Sequence, residues 1–217
     1  RELDSKRTFS RFEDLLTRPT KPRNASSLVI VRGSSKSIQV LMGKRAPKNR
    51  FMPDIYVFPG GGVSNEDRFS KPTSLLRASQ HQALSNTTRE ISPLTLATTA
   101  VRETFEETGL LLGQLHEGRI KPDLKHLQYI ARAITPSYQR TRYHARFFLS
   151  RKNHFSGQVK GNGELLDLRW VSIKQALKLP IVDVTEFVLC EVQKILRGAK
   201  QIPPLIYYRN LKPRVRR

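Results

Sequence analysis

The chain has 217 residues, enough for one domain with a substantial core or for two small ones. It contains a single cysteine, Cys190, which excludes an internal disulfide and a cysteine-based zinc site. No apolar run approaches the length that spans a bilayer, and nothing resembles a secretion signal. We therefore expect a cytoplasmic protein without a membrane partner.

The net charge of +21 is the strongest compositional signal. Such a basic chain is typical of proteins that meet polyanions, including nucleotides, RNA and the phosphates of cofactors. A charged tail without a specific partner explains the same charge, so both interpretations stay open at this point.

Strands and helices are expected to mix without strict alternation. Apolar runs bounded by turn residues predict strands over residues 27–32, 38–45, 55–58, 127–134, 143–149 and 165–171. Helices are expected over residues 8–16, 93–108, 173–179 and 184–196, with another within 68–91. Residues 203–208 are partly apolar and should dock, whereas residues 212–217 should fray. The pattern predicts an α+β fold with a mixed sheet and helices on its faces.

The helix over residues 93–108 carries a surplus of negative charge. Ser92 is suited to cap it and Gly109 to end it in a left-handed conformation. At about 100° per residue, Glu103, Glu106 and Glu107 fall on the face opposite the apolar stripe. Arg102 can pair with Glu106 but cannot neutralise three carboxylates, whereas a divalent cation with oxygen ligands can. A merely solvated acidic face is the alternative.

The apolar stripe of this helix is predicted from the same wheel. Ala97, Val101 and Phe105 lie within roughly 60° of Leu94, and these four residues are expected to face the core.

A glycine run lies upstream of this helix. Gly60, Gly61 and Gly62 follow the short strand that ends at Phe58, and they let the backbone approach a ligand closely. Such runs are often plain turns, so the glycines alone do not define a site.

Together the two stretches resemble the Nudix box. Residues 102–110, RETFEETGL, are similar to its second half, Arg-Glu-U-x-Glu-Glu-x-Gly-U with U apolar, except that the two middle places are swapped. Residues 57–63, VFPGGGV, supply the glycine strand. The chain is identified from these residues as a Nudix hydrolase, a family of the MutT-like superfamily.

The resemblance departs from the usual box in two respects. Asp67 stands where the first half normally has glutamate, and 34 residues, 68–101, separate it from Arg102 instead of seven. A long insertion at this place resembles the subgroup that includes coenzyme A diphosphatases. Only part of that subgroup's coenzyme A signature is present, in Lys44, Ala46 and Arg50.

The resemblance implies a Nudix-type α/β/α sandwich with the insertion inside the box. We expect a basic arm over residues 1–25, the Nudix hydrolase domain over 26–198 with the insertion at about 68–92, and a tail over 199–217. It implies hydrolysis of a pyrophosphate bond in a nucleoside diphosphate linked to another group, such as a coenzyme A derivative or a dinucleotide. Mg²⁺ or Mn²⁺ would be the metal.

The resemblance also assigns roles to residues. Glu106 and Glu107 would bind metal together with a carbonyl of Gly60 or Gly61, and Glu103 would either bind metal or act as the base. Arg102 would orient the carboxylates, and Asp67 would take the outer role of the missing glutamate.

Further candidates complete the predicted site. Glu164 is the candidate for a downstream catalytic acid, with an exposed loop glutamate as the alternative. Lys44, Arg45 and Arg50 are candidates for holding substrate phosphates, or else form a solvated basic loop. Tyr143 is a candidate for stacking on a base.

Two other functions remain open from the sequence. The charge of +21 also fits an enzyme that trims RNA 5′ ends or damaged nucleotides, or a Nudix-fold module that binds nucleic acid without catalysis. A homodimer is compatible with each of them.

Overall fold

The computed structural model describes residues 20–34, 37–47, 53–199 and 202–217. The predicted helix over residues 8–16, most of the predicted basic arm and the candidate Arg50 lie outside these ranges. Within the described part of the chain, no helix is both long and apolar enough to cross a membrane.

The strands and helices of the described residues follow one another along the chain as follows. The first half contains β1 (Arg23–Arg32), β2 (Gln39–Arg45), β3 (Tyr56–Val57), β4 (Gly60–Gly62), α1 (Ala78–Ser85), α2 (Pro93–Thr108), β5 (Gly113–His116) and β6 (Arg119–Pro122). The second half contains β7 (Gln128–Ile134), β8 (Tyr143–Arg151), β9 (Leu165–Ser172), α3 (Ile173–Ala176), α4 (Asp183–Leu196), β10 (Leu205–Arg209) and β11 (Lys212–Arg216).

Nine strands form one mixed sheet in the order β11-β10-β7-β8-β1-β2-β3, with β4 paired to β1 and β9 paired to β2. The central pair, β1 and β8, is parallel, whereas β8 runs antiparallel to β7. The predicted α+β class with a mixed sheet is therefore confirmed.

Helices cover both faces of the sheet. In β1, Leu28 and Ile30 pack towards α2, while Val29 and Val31 pack towards α4. A strand buried on both faces reads as a continuous apolar run, which is why β1 is apparent from the sequence.

Two hairpins depart from the predicted pattern. The strands β5 and β6 were not predicted, because they are only four residues long and have no continuous apolar run. The signal that could have found them is the Glu117-Gly118 turn, where both residues have positive φ. The prediction that residues 212–217 fray is wrong, since β11 pairs with β10 along its whole length. Because β10 pairs in turn with β7, this hairpin extends the main sheet beyond the predicted boundary at residue 198.

Candidate active site

The helix α2 begins and ends where the sequence predicts. The Ser92 hydroxyl accepts hydrogen bonds from the N–H groups of Leu94 and Thr95, and Pro93 occupies the first turn. Gly109 ends the helix with φ of 69°, a conformation that other residues adopt at a cost. These local signals fix the position of every glutamate along the helix axis.

The burial of α2 differs from the predicted single apolar stripe. Leu94 and Phe105 are only partly buried, whereas Leu96 and Thr104 are completely buried. One side of α2 packs on the sheet, and α1 and β6, which precede and follow α2 in the chain, cover other parts of its surface. Threonines tolerate this burial because their hydroxyls bond back to the helix, as in the 2.7 Å contact from Thr104 to the Ala100 carbonyl.

Glu107 therefore does not lie on a solvated face, so the alternative of a merely solvated acidic face does not hold for this residue. It is 4% exposed, and its Oε2 accepts a hydrogen bond of 2.8 Å from the N–H of Gly60. Burial raises the pKa of Glu107 to about 8. The Gly60 N–H and Arg45 oppose this rise, while the negative charges of Glu103 and Glu164 add to it.

Glu103 packs directly on the glycine strand. A Cβ added to Gly61 would lie 2.5 Å from the carboxyl carbon of Glu103, so only glycine leaves room for this side chain. Burial raises the pKa of Glu103, and Arg102, whose Nη2 lies 2.8 Å from Oε1, opposes the rise. Two carboxylates are thus held against β4 in surroundings that disfavour their negative charge.

Arg102 lies at the centre of the acidic groups. Its Nε donates to Asp67 at 2.8 Å and its Nη1 to Glu106 at 2.9 Å, the predicted pairing one turn away. Its Nη2 also donates to the Gly62 carbonyl at 3.1 Å, which ties the helix to the glycine strand.

Asp67 contacts Arg102 and takes no part in the cavity wall. Its carboxylate accepts hydrogen bonds from Arg102, from the N–H of Ser64 and from the Thr99 hydroxyl. Burial would raise the pKa of Asp67, but these hydrogen bonds outweigh burial and hold it below the usual value. The geometry favours the predicted outer role over direct contact with a metal.

A cavity of about 400 Å³ opens beside the glycine strand. Several predicted residues line it and are thereby brought together: Gly60, Gly61, Glu103, Glu107, Glu164, Arg45 and Tyr143. Glu106 is exposed and paired with Arg102 just outside this wall.

Lys44 does not join them. Its ammonium pairs with Asp54 at 2.9 Å, and neighbouring residues of a strand point to opposite faces, so the cavity receives Arg45 instead. Arg45 therefore lines the cavity and Lys44 does not, and the role of either residue in holding phosphates stays a prediction.

The rest of the cavity wall contains residues that were not predicted as part of the site. Tyr138, the start of α4 at Val182 and Asp183, and Tyr208 of β10 all line it. The Tyr208 hydroxyl donates to Asp183, and burial followed by this contact raises the pKa of Tyr208. For Tyr208, the only sequence signal was the apolar character of residues 203–208, which predicted that this segment packs on the domain.

The acidic side chains are not arranged as a complete set of metal ligands. Among the described residues, no three histidine, cysteine, aspartate or glutamate side chains converge in a way that could hold an ion. The type of donor nevertheless fits a hard divalent cation, because Glu103, Glu107 and Glu164 place carboxylate oxygens around one cavity with an excess of negative charge.

The NUDIX domain family matches residues 88–188, the part of the chain that begins just before α2. The chain is therefore similar to the Nudix family over a little under half of its length. It is 33% identical over 102 aligned positions to the acyl-coenzyme A diphosphatase NUDT19 of Xenopus laevis, an alignment that spans 37% of this chain and 27% of that protein. The chain thus matches only about a quarter of this relative's length.

Solved structures of Nudix proteins share the fold. A NUDIX hydrolase from Alicyclobacillus acidocaldarius is 28% identical, with a TM-score of 0.61 over 85% of this chain and 99% of that chain. An Ap4A hydrolase of C. elegans, at 16% identity and a TM-score of 0.51, covers 82% of this chain and 99% of its own. The second likeness concerns the fold alone.

Proposed function

We propose that this protein is a metal-dependent hydrolase that cuts a pyrophosphate bond in a nucleoside diphosphate linked to another group. The observation that carries the proposal is the buried Glu107, held by Gly60 beside Glu103 in a cavity with surplus negative charge. A domain that only binds phosphates has no need for buried carboxylates at its binding site, because they repel the ligand.

The metal would be Mg²⁺ or Mn²⁺, held by Glu106 and Glu107 with a carbonyl of Gly60 or Gly61. When bound, it supplies charge neutralisation at the phosphate oxygens and a more acidic water. Glu106 would have to exchange its contact with Arg102 for this role.

The remaining side chains of the cavity would act on the substrate. Glu103, whose pKa is raised, would take a proton from the attacking water, with Arg102 holding its carboxylate in place. Water would then attack one phosphorus and the bridging P–O bond would break, giving two phosphate monoesters. Arg45 would hold the phosphates of the substrate. Glu164 would be the downstream catalytic acid, and Asp67 would position Arg102.

The substrate class rests on two further observations. The curated relative is an acyl-coenzyme A diphosphatase, and the cavity wall also contains aromatic side chains, with Tyr138, Tyr143 and Tyr208. Both favour a coenzyme A-like compound or a dinucleotide, whose base would lie against these rings. We further propose a cytoplasmic location; a homodimer remains a prediction.

A substrate panel tests the proposal. With Mg²⁺ present, we expect hydrolysis of coenzyme A, an acyl-coenzyme A or a dinucleotide, measured by product chromatography. Glu107→Gln should abolish it while the exposed Glu117→Gln retains it. Full activity in Glu107→Gln would refute the site. Selective release from capped or triphosphorylated RNA would favour the RNA-end alternative, and no hydrolysis of any compound would favour a binding module.

A further inference from the structure

The C-terminal hairpin builds a basic surface on the face of the sheet that lies away from the cavity. On β10, Ile206 enters the core beside α4 and Tyr208 lines the cavity, so Leu205, Tyr207 and Arg209 point to the opposite face. Residues directly across an antiparallel pair share a face. This places three cations of β11 on the same side: Lys212, Arg214 and Arg216, opposite Arg209, Tyr207 and Leu205.

The neighbouring strand extends the same surface. Leu205 lies in register with Arg132 of β7, so Arg132 and Arg216 flank it on either side, about 10 Å apart across two strand spacings. Arg132 is half-buried, while Lys212, Arg214 and Arg216 are exposed. We call this set, Arg132, Tyr207, Arg209, Lys212, Arg214 and Arg216, the basic face.

The basic face lacks compensating acids. Residues 192–217 contain eight lysines and arginines but no aspartate or glutamate. Within the described ranges, none of the five cations of the basic face forms an ion pair. Their positive potentials therefore add, and a ligand with repeated negative charges gains most from them.

We propose that the basic face binds single-stranded nucleic acid, a function separate from the hydrolysis proposed above. Alternate residues of β11 stand about 7 Å apart, a spacing suited to successive phosphates of an extended strand. Tyr207 lies among the cations, where a base can stack on its ring. The exposed apolar residue of β11, Val215, lies on the other face, which argues against insertion into a membrane.

Fluorescence anisotropy with a labelled oligouridylate of about 15 nucleotides tests the proposal on the full chain, in EDTA so that hydrolysis does not interfere. The variant K212Q/R214Q/R216Q should bind roughly tenfold more weakly, and the slope of log K against log salt should fall by about 2, because three phosphate contacts are lost. The matched variant K71Q/K174Q/K178Q removes the same charge from exposed sites elsewhere and should bind as the wild type does.

Three further variants test the surface without changing the edge strand. R132Q should weaken binding, and Tyr207→Leu should weaken it more than Tyr207→Phe, since only the ring is needed for stacking. Equal weakening in the two triple variants would overturn the proposal, because net charge alone would then explain binding. Binding to vesicles of anionic phospholipid without binding to the oligonucleotide would overturn it in favour of a membrane surface.

Discussion

Arg102 donates from Nε and Nη2 to the carboxylate of Asp67, at 2.8 and 3.0 Å, although the residues are 35 positions apart. The side chains are 12% and 1% exposed, so the pair is largely removed from water. The long insertion, residues 68–101, begins directly after Asp67 and ends directly before Arg102. Its two ends are therefore held together by this ion pair.

Asp67→Asn should destabilise the protein and lower activity. Loss of the carboxylate leaves the guanidinium of Arg102 buried without its full counter-charge, a change that costs about 3 kcal/mol in comparable sites. Because the pKa of Asp67 is lowered in the folded state, its stabilisation exists above the unfolded value of 3.8 and is lost as the pH falls through the folded pKa.

Urea unfolding at pH 7 and pH 3 measures this effect. We expect the wild type and the variant to differ at pH 7 and to converge at low pH. Asp54→Asn, which removes an exposed partner of Lys44, is the control and should change stability little. A constant difference at both values of pH would contradict the assigned role.

Gly61→Ala should remove activity without unfolding the protein. The new methyl group would lie 2.5 Å from the Glu103 carboxyl carbon, and this flexible side chain must move away. A displacement on the order of 1 Å at a reacting group costs roughly 100-fold in kcat. Gly62→Ala is the matched control, since a Cβ there meets nothing within 4 Å. Equal kcat values in the two variants would show that Glu103 is not essential.

The stabilisation by Mg²⁺ should rise with pH. The pKa of Glu107 is about 8 in the folded state against 4.5 in the unfolded chain, so without metal the folded state keeps a proton on Glu107 that the unfolded chain releases. The folded state therefore loses stability as the pH rises from about 5 to 8. A cation competes with that proton and binds better at high pH.

Thermal unfolding with and without Mg²⁺ at pH 6 and pH 8 tests this. The shift in Tm should be larger at pH 8 in the wild type, and Glu107→Gln should abolish the difference. A shift that is independent of pH in the wild type would mean that Glu107 does not bind the ion.

Tyr208→Phe should weaken substrate binding more than it slows the reaction. The variant loses the hydrogen bond to Asp183 in the cavity wall but keeps the ring. Because this contact holds the ring in the cavity wall and does not involve Glu103 or Glu107, we expect KM to rise about fivefold, the worth of one hydrogen bond, with kcat nearly unchanged. Steady-state kinetics measure both constants. Tyr207→Phe, on the opposite face, is the control, and an equal rise in KM there would refute the assignment.

The predictable part of the site is the part that local sequence encodes. Ser92 and Gly109 act on their own backbone neighbours, so both ends of α2 could be placed without knowing the fold. The burial of Glu107 could not be predicted, because it depends on Gly60, 47 positions away, donating from a strand on the other side of the insertion. A helical wheel treats one side of a helix as solvent, and α2 has protein on both sides.

The part of the cavity wall that was not predicted also depends on contacts between distant segments. Tyr208 reaches Asp183 only because β10 adds to β7 in parallel, a pairing between segments about 70 residues apart that no local pattern specifies. The sequence also could not distinguish the positions of Lys44 and Arg45. Both are basic, and only the register of β2 decides that Arg45 rather than Lys44 lines the cavity.

The edge position of β11 has a consequence for solubility. An edge strand leaves one row of backbone groups unpaired and invites another strand to add to it. With Lys212, Arg214 and Arg216 at alternate positions, a second copy of this strand approaching edge to edge would bring like charges together. This edge is thereby protected at low salt from strand addition by a second copy, and the protection should weaken as salt screens the charges or as a polyanion neutralises them.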